Sequence, residues 1–135
     1  MTIPAQSSLD ELYAQVTAAI LRAESAEAAG EESRAADAYF DVSCLEESIA
    51  DVVAVGEPEG QIARRGVLRA ALRARQYARA MELAERYLVE PNASAELMAS
   101  LGDFRDEARR ALDEASRVQV EVVPEARFRF HDAAA

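Results

Sequence analysis

Arg65, Arg69 and Arg73 recur at every fourth position, which on a helix sets three guanidinium groups in a ridge along one face. A guanidinium presents two parallel donors that match the two oxygens of a carboxylate, so the chemistry suggested by such a ridge is capture of acidic groups. Like charges at this spacing repel by a few tenths of a kcal/mol per pair, and something must compensate them. Three sources are open. One is internal: solvation, or carboxylates of a neighbouring helix, with Asp37, Asp41, Glu46, Glu47 and Asp51 as candidates. The second is an acidic segment of a protein partner, and the third is phosphate, free or in a nucleic acid.

Catalytic chemistry has less to work with. His131 is the sole histidine and lies near the end of the chain, which leaves no Cys-His or Ser-His pair for nucleophilic catalysis near a core. Cys44, the sole cysteine, sits between Val42 and Leu45 with no cation nearby in sequence; it reads as a buried structural thiol and excludes an intramolecular disulfide or a Cys-rich metal site. Acid pairs such as Glu46 with Asp51 or Glu31 with Asp37 lack the Glu-x-x-His spacing of a metal-binding bundle, and no glycine-rich phosphate loop occurs. The expectation is a protein that is not an enzyme and uses neither cofactor nor metal.

Charge narrows the partners further. The formal net charge is −10, and all positive charge comes from arginine. Residues 1–60 hold 13 acids and 2 arginines, residues 61–86 hold 2 acids and 7 arginines, and residues 87–135 hold 10 acids and 6 arginines. An acidic surface argues against general binding to nucleic acid or anionic membranes, so the basic central stretch stands out. The N-terminus has neither a basic nor an apolar leader segment, and no run approaches the roughly 18 apolar residues of a membrane span. A cytoplasmic protein is expected.

The elements that must position the arginines are helical. Half the residues are hydrophobic, alanine is abundant, and the chain has five glycines and no Trp, a composition suited to close-packed helices. Ser8 can cap a first helix from about Leu9 to Ala29 with Leu12, Val16, Ala19, Ile20 and Ala23 inward, closed by Gly30 in a left-handed cap. A second helix follows to about Val53, with Ala35, Tyr39, Val42, Leu45, Ile49 and Val52 on one face. Gly56 to Gly60 is the clearest break. Residues 59–91 then form a hairpin about Arg75-Gln76, and its small residues Ala70, Ala71, Ala74, Ala80 and Ala84 let the helix axes approach. Beyond Pro91-Asn92, the pattern fits two helices divided at Gly102, with Asp103 capping the second, or one helix from Ala93 to Val118. Tyr39, Leu45, Val67, Met81, Ala84, Leu88 and Leu112 are the expected core.

Tyr77, Ala80, Ala84, Tyr87, Leu88 and Pro91 resemble the second helix and closing proline of a tetratricopeptide repeat, a family with a period of about 34 residues. Ala26, Gly30, Ala35 and Tyr39 echo the pattern upstream, and Gly102-Asp103-Phe104 with Ala108 echo it downstream, so the likeness covers most of residues 10–117. The resemblance implies antiparallel helical hairpins whose first helices line a concave groove. It also implies that Arg65, Arg69 and Arg73 face that groove, where basic residues receive acidic side chains or a terminal carboxylate of an extended peptide.

The period changes at the end. Val118, Val120 and Val122 alternate with polar residues, as do Phe128 and Phe130 after Pro124, the mark of two short extended segments. They either pair as a β-hairpin resting on the helices, add to a partner's sheet edge or exchange between subunits, or stay disordered. The expectation is therefore an all-α fold of five or six helices in antiparallel hairpins, with a flexible start at 1–7, a helical domain at 8–117 and an extended tail or β-hairpin at 118–135. Arg65, Arg69, Arg73, Val120, Val122, Phe128 and Phe130 are the candidate partner-binding residues. Two functions fit: a protein-interaction module or adaptor that takes a partner segment, acidic in character, in its groove, or a structural subunit, such as a homodimer, joined through Ala-rich faces and the tail.

Overall fold

The computed structural model describes the backbone of residues 5–134 and the side chains of residues 8–118. Among the described residues there are five helices and no strand: α1 (Ala5–Ala28), α2 (Glu32–Val52), α3 (Pro58–Arg73), α4 (Tyr77–Leu88) and α5 (Ala95–Ala134).

Both of the first short turns close in the same way. Gly30 has φ +74°, its N–H donates to Glu27 O, and the Glu31 N–H donates to Ala26 O, the paired bonds that satisfy orphan carbonyls at a helix end. At the end of α3 the same pair recurs, with Arg75 N–H to Leu72 O and Gln76 N–H to Ala71 O. Here Arg75 takes the left-handed conformation at φ +60°, at a cost of roughly 1–2 kcal/mol that glycine would avoid.

The break after α2 is shorter than expected, because Pro58 opens α3 with its fixed φ and missing N–H, which suit a first helical turn. Gly60 thus belongs to the helix. A Cβ there would collide with the Ala54 carbonyl, so the glycine serves the close approach of α3 to the preceding loop.

The last helix is continuous through Gly102. Ser94, and not Asp103, caps it: Ser94 Oγ accepts the Leu97 N–H at 3.1 Å and donates to Gln61 Oε1 at 3.1 Å. Nothing lies within 4 Å of a Cβ built on Gly102, so this glycine answers no steric demand. The extended element expected at 118–135 is also replaced, since the backbone continues as α5 to Ala134. Alternation over five residues is a weak signal, because Val and Phe fall only a few tenths of a kcal/mol below good helix formers. The side chains of Val120, Val122, Phe128 and Phe130 lie outside the described residues.

Packing follows chain order. α1 packs on α2 and α2 on α3, while α3, α4 and α5 pack on one another; the α1 and α3 backbones flank α2 without coming within 8 Å of each other. The main core joins Val16, Ile49, Val67, Leu68, Leu83, Tyr87, Leu97 and Leu101. Alanines fill the closer contacts, as with Ala71, Ala80 and Ala108. Of the expected core, Tyr39, Val67 and Ala84 are buried, whereas Leu45, Met81, Leu88 and Leu112 are half-buried. On α4 the inner positions belong to Leu83 and Tyr87, so the buried stripe is centred between the flanks that Met81 and Leu88 occupy.

Candidate partner-binding groove

Neighbouring arginines of α3 have opposite fates. Arg64 shares a helical face with Val67, Leu68 and Ala71 and is 4% exposed. Its guanidinium makes a two-pronged bond to Glu90, Nε to Oε1 at 2.8 Å and Nη2 to Oε2 at 2.9 Å. The remaining donors reach the carbonyls of Ala50, Val53 and Gly60 at 3.2, 3.1 and 2.9 Å, and the group lies 5.4 Å from the Tyr87 ring centre. Two of those carbonyls belong to the end of α2, where the helix has no partners of its own to offer. Arg64 therefore ties the ends of α2 and α4 to α3. Sequence reasoning missed this role, although the spacing from Arg64 to Val67, Leu68 and Ala71 placed it on the buried stripe.

The predicted ridge lies elsewhere on the helix. Arg65 is half-buried, and Arg69 and Arg73 are exposed. None of the three forms an ion pair among the described residues. Arg69 stands 5.7 Å from the Phe104 ring centre and Arg73 5.4 Å from that of Tyr39, contacts worth roughly 0.5–1 kcal/mol at exposed sites. Arg73 Nη1 also donates to Tyr39 Oη at 3.4 Å, and Tyr39 Oη donates to Glu27 Oε1 at 3.0 Å. Two of the five acids proposed to neutralise the ridge are engaged elsewhere: Asp41 with Arg22 at 3.7 Å, and Glu47 with Arg79 at 2.7 Å and Arg86 at 3.6 Å. Glu46 lies in the field of one ridge arginine, Arg69. Burial pushes its carboxyl up to about 7, against the opposing pull of Arg69.

Two openings lie between α1 and α3, each with residues of α2 in its lining, and we treat them together as one groove. One part, of about 280 Å³, is lined by Ile20, Tyr39, Val42, Gly66, Arg69 and Arg73. The other, of about 530 Å³, is lined by Leu9, Tyr13, Glu46, Glu57, Glu59 and Ile62. Helical spacing puts both on one side of the fold: Leu9, Tyr13 and Ile20 share a face of α1, as do Tyr39, Val42 and Glu46 of α2, and Glu59, Ile62, Gly66 and Arg73 of α3. Electrostatics agree. The Tyr13 hydroxyl is held above its ordinary range by burial first, then by the charges of Glu59, Glu46 and Asp10, so α1 and α3 carboxylates meet around one phenol. Gly66 admits the Glu46 side chain: a Cβ there would fall 2.9 Å from the Glu46 carboxyl carbon.

A larger opening of about 660 Å³ lies between α1 and α2, where Leu21, Arg22, Glu31, Arg34 and Asp41 line it. Its charges pair with one another, Arg22 with Asp41 at 3.7 Å and Arg34 with Glu31 at 3.0 Å, which leaves little charge to recruit a ligand. Cys44 is half-buried. His131 lies outside the residues whose side chains are described. Among the described residues no group of three His, Cys, Asp or Glu side chains is placed to hold a metal, and no helix is long and apolar enough to cross a membrane. No protein-family model, curated protein or solved structure matches the chain.

Proposed function

We propose that this chain is a non-catalytic protein-interaction module whose α1–α3 groove receives a partner segment, with acidic groups of that segment facing Arg69 and Arg73. The observation that carries the reading is a pair of exposed guanidinium groups without a carboxylate partner among the described residues, set beside an apolar floor of Ile20, Val42 and Ala70. In a chain of net charge −10, exposed guanidinium groups that form no ion pair among the described residues can still receive a carboxylate. The tetratricopeptide-like reading agrees with it: the turns after α1 and α3 close with the same pair of hydrogen bonds, and the arginines stand on the first helix of the second hairpin.

The test is a selection of random peptides displayed on phage, with the full chain as bait, followed by affinity measurement on the Arg69→Glu variant. The substitution exchanges an attraction for a repulsion, so binding should fall at least about tenfold, and added salt should weaken the wild-type complex. The unfolding midpoint should hardly move. Unchanged affinity with reduced stability would make Arg69 a structural residue and remove the reading. The alternative, a subunit joined through Ala-rich faces and the C-terminal tail, would have to use alanines other than Ala19, Ala23, Ala26, Ala70, Ala71 and Ala80, which are buried inside the fold.

A further inference from the structure

The two ends of the groove differ in chemistry, and the second end constrains the partner in a way the arginines alone do not. At the first end stand Arg69 and Arg73. At the second, Glu57 and Glu59 at the start of α3 stand with Tyr13 from α1, while Glu46 from α2 lies between the two ends, against Gly66 and in the field of Arg69. Glu46 makes no hydrogen bond or ion pair among the described residues, and beside it Ile62 is 63% exposed. A purely acidic segment lying along the groove would meet Arg69 at one end and Glu57 and Glu59 at the other. Glu59 and Arg69, ten residues apart on α3 and so about 15 Å along its axis, are farther apart than the roughly 8 Å over which physiological salt screens charge, so each selects its own residue.

Length follows from the same geometry. About 15 Å along α3 is a span that about five residues of extended chain cover.

Resting on the interaction-module reading, we propose that the groove takes an extended, bipolar segment of a partner protein. An Asp or Glu meets Arg69 and Arg73, apolar residues cover Val42 and Gly66, and a Lys or Arg about five residues away meets Glu57 and Glu59. The two charges also fix the direction in which the segment lies.

Peptides enriched from the displayed library against the full chain should carry an acid and a base about five residues apart. Their affinity, measured by fluorescence anisotropy, should fall at least tenfold on Glu59→Lys and several-fold on Glu59→Gln. Replacing the peptide's basic residue by Glu should restore binding to Glu59→Lys, and circular dichroism should be unchanged because Glu59 is exposed. If Arg69→Glu weakens binding while both Glu59 variants leave it intact, the bipolar proposal is wrong and the groove reading stands. Loss on Glu59→Lys without rescue by the exchanged peptide also overturns the proposal, since it assigns the effect to altered structure. If neither Arg69 nor Glu59 matters, or no peptide is enriched, both readings fall.

Discussion

Replacing Arg64 by Ala should be among the most damaging single changes in this chain. Five hydrogen bonds disappear, two of them to the Glu90 carboxylate. Removing one partner of a buried ion pair costs about 3–5 kcal/mol, because the remaining charge keeps its desolvation penalty. Here Glu90 can regain some water, its side chain being 27% exposed, while the Ala50 and Gly60 carbonyls sit deeper. About 4 kcal/mol is the resulting expectation, a large share of the 5–15 kcal/mol typical of a domain. Urea unfolding followed by circular dichroism measures it directly, with the slope checked for two-state behaviour. Arg64→Lys should recover little, because a single ammonium cannot span Glu90 and three carbonyls at once. A loss below about 1 kcal/mol for Arg64→Ala, or a lysine variant as stable as the parent, would refute the role assigned to this side chain.

Glu46 sets a pH dependence. Its carboxyl is raised from 4.5 to about 7 by burial, so between those values the folded state holds the extra proton, and this group's contribution makes stability fall as pH rises. Glu46→Gln should therefore flatten the unfolding midpoint against pH between about 4.5 and 7, and it should be at least as stable as the parent at pH 8. A steeper profile would contradict the assignment. Gly102→Ala should raise stability by roughly 0.5–1 kcal/mol, since the position is helical with free space for a methyl group; denaturant unfolding that shows destabilisation would mean α5 is broken there.

How much was legible in the sequence depended on the type of signal. Helices with a wide apolar stripe and a defined end, such as the one closed by Gly30, announce themselves through period and cap. The division at Gly102 was ambiguous because a glycine inside a helix costs only about 1 kcal/mol, less than the burial of Leu97, Leu101 and Ala108 supplies on either side of it. The arginine ridge was visible as a spacing, but its surroundings were not. Which acid lies near Arg69, and which aromatic ring lies under each guanidinium, depends on contacts between elements far apart in the chain. Arg64 shows the limit most clearly. Its neighbours on the helix marked a buried face, yet the carbonyls at the end of α2 and the Glu90 carboxylate that make burial tolerable become partners only when three helices meet. Glu46 was proposed as a counter-charge from its place on the acidic helix, while its burial against Gly66, beside Arg69, is a property of packing.

The central claim is that partners enter between α1 and α3, and amide chemical-shift mapping during titration of the ¹⁵N-labelled chain with a library-selected peptide tests it most directly. Perturbations should concentrate at Tyr13 and Ile20 of α1, Val42 and Glu46 of α2, and Ile62, Gly66, Arg69 and Arg73 of α3. A map centred instead on the opening around Leu21, Arg34 and Asp41, or on the exposed Val89 and Met98, would contradict it.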